Sequence, residues 1–562
     1  MTSCHMNFCR VPSSTSKTIS HGLPWLAAVI ALASIAVAMF ILSASENGLE
    51  INQRWLGPTP VTVYRPGDEL REISAQRWQE DRLGGLPVVL ISHGFAGSQQ
   101  LMQAFAVTLA RNGYLAVTFD YYGHGRNLEP LSGDITDVEG ATRFLLDQTQ
   151  AVADFAMSLP GARSDFALLG HSMASDVIVR YSASDPRVKA TVAVSSFSPA
   201  VSADSPENFM IIVGNLEGFL KDEALRAVGM VTEQPDAGRT FGQFADSSAR
   251  RAVFAPAVEH VGVLYSPTSL HETVNWLDQA FGRVSQEEIG RVNNDGREYF
   301  DSTYIDRRGL AIPLLLLGLV VLAWPLSKLL PSVVEPARGM DPSWRELIPA
   351  ALVPAVATPL LLVAFPAGFM GVLVGGYLAV HFALYGVLTA GFCLWLRRRR
   401  HTNDSSELKQ QRPGTFTLLA IFAATVSTLY AAGAIGLALD QFVTSFAVTA
   451  PRLPLLVLML IGTLSYFLAD EWLTRGPNVP RGAHLLTRIC FLLSLGLAVA
   501  LSFEDLFFLL IIAVVIVPYF LIYGLFSRWV YRATGSPWIS ALPSAIAFAW
   551  ALAVVFPQLS SV

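Results

Sequence analysis

A serine hydroxyl is a poor nucleophile by itself. It needs a histidine to take its proton, a carboxylate to hold that histidine, and N–H donors to meet the charge developing on the attacked carbonyl. Ser172 is the candidate nucleophile, in Asp165-Phe166-Ala167-Leu168-Leu169-Gly170-His171-Ser172-Met173-Ala174. The apolar run Phe166 to Leu169 reads as a buried strand, and Ser175 to Ser182 reads as a helix. A sharp turn between them puts the serine at its apex and pushes the hydroxyl off the C-terminal edge of a sheet. Strand and helix nearly touch at such a turn, so small residues are needed two positions either side of the serine. Gly170 and Ala174 meet that need. Alone, the motif is weak, and a helix start that happens to read Ser-Met-Ala is the bland alternative.

The other parts follow from position along the chain. The run Pro87 to Ser92 leads into His93-Gly94-Phe95-Ala96-Gly97-Ser98. Glycines let this loop bend towards the serine, so the N–H of Phe95 is the expected oxyanion donor, paired with the N–H of Met173. The acid belongs at the C-terminal end of a later strand. Phe209 to Val213 is followed by Gly214-Asn215-Leu216-Glu217, which selects Glu217. Asp204 precedes that strand, and Asp222 falls about a turn into the next helix. The base belongs after the last strand, Ala252 to Phe254, and His260 stands there. His271 falls inside the following helix. His93, His124 and His171 precede the serine, and His124 reads as loop structure. No metal or cofactor is implied. The four cysteines, Cys4, Cys9, Cys393 and Cys490, show no zinc-site spacing.

These residues need a scaffold. Between residues 44 and 307, strand-length apolar runs alternate with amphipathic segments. The strands are Val61–Tyr64, Pro87–Ser92, Leu115–Asp120, Phe166–Leu169, Ala190–Val194, Phe209–Val213 and Ala252–Phe254. The helices are Gln99–Asn112, Asp137–Leu159, Ser172–Ser182, Leu220–Val228 and Ser269–Phe281. The alternation predicts an α/β domain, a mostly parallel sheet with helices on both faces. Ligands in such sheets bind beyond the carboxyl ends of the strands.

The order Ser172, Glu217, His260 is the Ser–acid–His order of the α/β-hydrolase superfamily. Residues 57–283 resemble that superfamily in His93-Gly94-Phe95, Asp120 to Gly125, Gly170 to Ala174, Gly214 to Glu217 and His260. The resemblance implies a serine hydrolase domain. Ala174 and Glu217 depart from the commoner glycine and aspartate. Only about a dozen residues, Ser195 to Asn208, stand where many members carry a helical cap, so an open pocket is expected, with 218–250 as a partial cover.

Outside this region the chain is apolar. Over 562 residues, 52% are hydrophobic and 15% charged, against roughly 25% charged in soluble chains. Leu23 to Leu42 is an uncharged run long enough to cross a bilayer. Further spans are expected near 309–327, 347–366, 368–396, 415–438, 453–472, 485–502, 506–527 and 537–556. Basic residues occupy alternate loops: Lys328, Arg338 and Arg345; Arg397 to Arg400, Lys409 and Arg412; Arg475, Arg481 and Arg488; Arg528 and Arg532. The positive-inside rule then makes 1–21 a cytoplasmic tail, 22–43 an anchor, 44–307 exoplasmic, and 308–562 a membrane domain of about eight helices. Arg307 and Arg308 oppose that reading mildly. His381 is the one clearly deep ionisable group, read as a hydrogen bond to a neighbouring helix. Asp470 and Glu471 are expected to reach water, and Gly371 and Gly375 to form a helix-packing pair.

The sequence therefore predicts a multi-pass membrane protein with an exoplasmic domain cleaving carboxylic esters. Envelope acyl transfer by the same residues and a non-catalytic hydrolase-like module are the alternatives. The expected partners are the lipid bilayer and a small-molecule or lipid ester. A net charge of −5 gives no sign of nucleic-acid binding. Substrate and oligomeric state are not legible.

Overall fold

The computed structural model describes residues 15–72, 85–134, 137–283, 303–334, 338–401 and 417–560. Cys4, Cys9, Arg10, Lys409 and Arg412 lie outside the described residues.

A nine-stranded sheet organises the first half, in the order β1-β2-β4-β3-β5-β6-β7-β9-β8. The strands are β1 Leu49–Leu56, β2 Thr59–Pro66, β3 Leu86–Ser92, β4 Leu115–Phe119, β5 Ala162–His171, β6 Val188–Val194, β7 Phe209–Gly214, β8 Thr240–Phe241 and β9 Arg250–Ala255. Strands β4, β3, β5, β6, β7 and β9 are parallel, while β1, β2 and β8 join antiparallel at the edges. β1 and β8 are additions to the sequence reading. β1 is polar and mostly exposed, and β8 has only two residues, so neither carries an apolar run.

The central strands are continuous apolar runs because both faces are covered. Helix α1 is the N-terminal Thr15–Glu46; α2 is Gln103–Arg111, α3 Arg143–Met157, α4 Met173–Ser182, α5 Gly218–Gly229 and α6 Pro267–Ala280. The period of two along β3 divides its side chains between the faces. Val89 and Ile91 pack with Phe105 and Leu109 of α2 and Leu270 and Trp276 of α6. Val88 and Leu90 pack with Leu145 and Val152 of α3 and Val177 and Ile178 of α4. Helix α5 buries Ala224, Ala227 and Val228 against Ile211 and Val213. Its place is therefore in a covering layer of the sheet, not in a cap.

The second half is a helical bundle: α7 Arg308–Ser327, α8 Trp344–Leu361, α9 Gly375–His401, α10 Leu418–Phe442, α11 Leu453–Thr474, α12 Ala483–Leu501, α13 Phe508–Thr534 and α14 Pro537–Val555. Among the described residues, eight helices are long and apolar enough to cross a membrane, α1 included. The expected span 347–366 corresponds to α8, which falls outside that set. It is 18 residues long, has Glu346 in its first turn, and contains Pro349, Pro354 and Pro359.

Three expectations about the bundle need correction. Gly371 lies in a short turn at φ +64° and Gly375 only begins α9, so the two share no helix face. Close packing comes instead from Gly386 and Gly462. A Cβ on Gly386 would sit 2.3 Å from the Ser465 backbone, and one on Gly462 would sit 2.3 Å from the Ala379 carbonyl. Asp470 and Glu471 do not reach water. Both are buried, and Glu471 pairs with Arg475 at 2.7 Å. Arg308 is not a free charge at the outer end. It is buried and paired with Asp306 at 2.9 Å. His381 does share a hydrogen bond with a neighbouring helix, 3.1 Å to Ser494 Oγ.

The sheet domain sits on one end of this bundle. Arg126 pairs with Asp440 at 2.6 Å. Ser445 N–H donates to Ser98 Oγ at 2.8 Å. Arg452 donates to the carbonyls of Gly123, Ala553 and Phe556. Leu131 bridges to Leu559. These contacts on the sheet side come from the loops after β3 and β4, and Tyr265, after β9, packs on Gly309 and Ala311 of α7, so the C-terminal edge of the parallel strands faces the bundle.

Candidate active site

Strand β5 runs to His171, and α4 begins at Met173. Ser172 is the single residue between them, at φ +54° and ψ −119°. A residue other than glycine in such a conformation stores roughly 1–3 kcal/mol of strain. The turn leaves no room beside it. A Cβ on Gly170 would lie 2.9 Å from the Ala174 carbonyl oxygen, and one on Gly94 would lie 2.9 Å from Ser172 Cβ. Ala174 is fully buried, so its single methyl is accommodated.

Ser172 Oγ lies 2.9 Å from His260 Nε2, and His260 Nδ1 lies 2.6 Å from Glu217 Oε1. The structure thus brings together the three residues selected from the sequence. The loops after β7 and β9 are tied to each other: Asn215 N–H donates to the Ala255 carbonyl at 2.8 Å, and Leu216 N–H to the Val258 carbonyl at 3.1 Å. A Cβ on Gly214 would meet the Val258 oxygen at 2.5 Å, so only glycine lets the loops close this far. Glu259 accepts from the Val261 and Gly262 N–H groups and stiffens the loop that holds the base.

Glu217 is held on both oxygens. Oε2 accepts from the Ser195 hydroxyl and from the Gly214 N–H, each at 2.7 Å. Burial pushes its carboxyl upward, but the hydrogen bonds from His260, Ser195 and Gly214 outweigh that and hold it below the usual carboxylate range. Glu217 is therefore ionised near neutrality, as support for an imidazolium requires. His260 is the more open partner, its side chain 43% exposed.

Two further residues position the base without touching a reacting atom. Ser195 fixes the acid. His171 donates from Nε2 to the His260 carbonyl at 2.9 Å, and the two rings lie 4.9 Å apart. Burial, with the neighbouring His260 adding to it, pushes His171 down to about 3, so it stays neutral. Chain order alone had set His171 aside. Its place next to the turn was the signal available, as was the end-of-strand place of Ser195. Asp204 and Asp222 are exposed, and His271 is half-buried inside α6.

The oxyanion donors are less directly visible. Met173 opens α4, where first-turn N–H groups have no partner within the helix. Phe95 follows Gly94, whose Cα faces Ser172 and His171. The loop is pinned from both sides. His93 donates from Nδ1 to the Gly94 carbonyl at 2.8 Å and accepts from the Tyr121 N–H at 3.1 Å. The Phe95 ring lies 4.7 Å from that of Phe508, the first residue of α13, tilted by 37°. His124 is buried and donates to the Tyr122 carbonyl at 2.8 Å, a loop role.

Residues 86–226 match the family model described as "Serine aminopeptidase, S33". That stretch holds Phe95, Ser172, Met173 and Glu217 and stops short of His260. No curated protein matches the chain. Solved structures it resembles include an epoxide hydrolase of Vigna radiata, at 19% identity over 28% of this chain and 41% of that one, TM-score 0.20. A laboratory-evolved potato epoxide hydrolase is 21% identical over 27% and 41%, TM-score 0.20. A chain described as a lipase from Acinetobacter baumannii AYE is 19% identical over 28% and 46%, TM-score 0.21. The match thus spans about two-fifths of those epoxide hydrolases, and TM-scores this low carry no argument. The α/β-hydrolase fold rests on the strand order, the parallel core and the family model.

The contact at Gly94 generates a direct expectation. Gly94→Ala should fold, but its new methyl must displace either Ser172 or the loop bearing Phe95. We expect kcat for a short ester to drop at least tenfold while the melting temperature shifts by only a few degrees. Unchanged kcat would show that the loop can retreat and that the Phe95 N–H is not placed by this contact.

Proposed function

We propose that the sheet domain is a serine hydrolase that cleaves carboxylic esters through an acyl-enzyme on Ser172. In this reading Ser172 attacks, His260 takes its proton and returns it to the leaving alcohol, and Glu217 supports the imidazolium. The N–H groups of Phe95 and Met173 receive the oxyanion. A water then repeats the sequence on the acyl group. The observation that carries the proposal is the unbroken chain Ser172–His260–Glu217 at 2.9 and 2.6 Å. The non-catalytic alternative expected Glu217 to point away from His260, and that motive for it is gone.

Ser172→Ala should abolish fluorophosphonate labelling and lower hydrolysis of nitrophenyl butyrate by several orders of magnitude. His260→Ala should fall about as far, because the two act as a unit. Glu217→Gln should keep the fold and lose on the order of 10²–10⁴ in kcat, since the imidazole loses both its orientation and its counter-charge. Wild-type turnover in Ser172→Ala would end this mechanism.

The substrate reading comes from orientation. Half of the catalytic edge, the loops after β3 and β4, rests on the bundle. The other half, the loops after β6 and β7 with Val261 in the first part of the loop after β9, faces the same way and exposes large apolar groups. Phe197, Leu216, Phe219 and Val261 are 51%, 67%, 65% and 47% exposed. Phe197 and Phe219 stack at 5.7 Å, on either side of Glu217 in sequence order. Among the described residues, no hydrogen bond, ion pair or ring contact joins residues 195–219 to the bundle. An edge seated on membrane helices, with an uncovered apolar half, suits an ester whose acyl chain is drawn from the bilayer surface. The double variant Phe197→Ser, Phe219→Ser should lower the ratio of kcat/KM for a dodecanoyl ester over a butanoyl ester by tenfold or more. An unchanged ratio would remove the rim from the acyl path.

Sidedness is proposed from charge. Lys328, Arg345, Arg397 to Arg400, Arg481, Arg528 and Arg532 lie at the bundle end away from the sheet domain, which suits an exoplasmic hydrolase. A cysteine placed at 130 should react with an impermeant thiol reagent on intact cells, and one placed at 481 should not. The reverse pattern would invert the topology.

A further inference from the structure

The bundle end away from the sheet domain holds a cavity of about 480 Å³. Its walls are the last turn of α11, the connection 476–482, the first turn of α12 and the last turns of α13. Arg475, Arg481, Arg528 and Arg532 line it together with His484 and Tyr531, and among the described residues no aspartate or glutamate does. We propose that this cavity binds a phosphate-bearing ligand.

The charges there do not balance internally. Behind the cavity, Arg475 pairs with Glu471 at 2.7 Å and Arg488 lies 3.8 Å from the same carboxylate. Glu471 thus faces two guanidinium groups, and Asp470 is buried beside it, so two carboxylates stand against Arg475 and Arg488. Asp341 accepts from the Asn478 N–H at 2.8 Å and does not line the cavity. Arg481, Arg528 and Arg532 are left over. Their side chains are exposed, and among the described residues they make no ion pair or hydrogen bond. Arg528 and Arg532 stand four residues apart on one helix, where like charges repel. An anion between them removes that repulsion.

Two neutral features point the same way. Helix α12 begins at the cavity wall with Gly482 as its N-cap, which offers no side-chain acceptor. Ala483 N–H bonds to the Pro480 carbonyl and Leu486 N–H to that of Gly482. The N–H groups of His484 and Leu485 have no partner within the helix, and they lie at its positive end. The His484 ring is the second feature. Neither ring nitrogen makes a hydrogen bond, although both atoms are shielded from solvent, and the nearest carboxylate oxygen, on Asp470, is 3.8 Å away. Asp470, Glu471 and His484 could also be read as a metal triad. The guanidinium groups of Arg475 and Arg488 already occupy the counter-charge position a divalent cation would take, so the site favours an anion.

One chemistry has two sources here, a lipid headgroup phosphate or a soluble phosphate compound. The test uses the full chain. One arm measures binding of phosphatidylglycerol against phosphatidylcholine by native mass spectrometry after reconstitution in mixed nanodiscs. The other titrates inorganic pyrophosphate into the protein in neutral detergent and reads calorimetry and melting temperature. Binding in the first arm assigns a lipid headgroup, and binding in the second assigns a soluble ligand. In either case the double variant Arg528→Gln, Arg532→Gln should weaken binding at least tenfold. Its ligand-free melting temperature should be unchanged or higher, because the repulsion is gone. Absence of binding in both arms, or equal binding by the double variant, would overturn the proposal. None of these outcomes depends on ester hydrolysis.

Discussion

The backbone of Ser172 is the constraint on which the site depends. At φ +54° the residue is strained, and its backbone is held by Val194, which accepts from its N–H, and by Ser175, whose N–H and hydroxyl donate to its carbonyl. The strain persists because β5 is locked between β3 and β6, and α4 is packed under the sheet through Val177 and Ile178. The turn is where two rigid elements must meet without space for side chains. That explains glycine at 170, in strand β5, and at 94, in the loop after β3: a Cβ on either would come within 2.9 Å of the turn. The serine's reach to His260 is thus set by the sheet, not by a flexible loop.

The same edge that holds the site holds the domain to the bundle. The loop after β3 carries Phe95, and its neighbour Ser98 bonds to Ser445. The loop after β4 is clamped by Arg452 and Arg126. The bundle is therefore part of the site's supporting shell and more than an anchor. Phe508, the first residue of α13, lies against Phe95, which bears a proposed oxyanion donor.

Much of this was legible in the sequence, for identifiable reasons. Parallel strands covered on both faces are continuous apolar runs, so β3, β5, β6 and β7 announced themselves, and each catalytic candidate could be placed at a strand end. What was not legible depended on tertiary partners. β1 is polar and exists because it pairs along its whole length with β2. His171 and Ser195 act on other residues, through a backbone carbonyl and a carboxylate, and single-sequence spacing does not encode such partners. Asp470 and Glu471 were placed in water because they end an apolar run. Their burial depends on Arg475 and Arg488, the second of which comes from the next helix.

Arg308 shows how the charge count must be made. At the sheet-domain end, Arg307, Arg308 and Arg452 oppose the topology read from the loops; Arg307 is exposed, and the other two are not free. Both are fully buried. Arg308 is matched by Asp306 and donates to Gln103, and Arg452 donates to three carbonyls, two of them at the C-terminal end of α14. A cation there suits the negative end of a helix and has no free charge to offer a membrane surface. Arg481, Arg528 and Arg532 at the other end are exposed and, among the described residues, unmatched. Orientation rules built on counting arginines treat these two groups alike, whereas the structure separates them into interface bonds and free charge. Of these, the exposed arginines are the ones with charge free to meet an anion, three at the far end against Arg307 at the sheet-domain end.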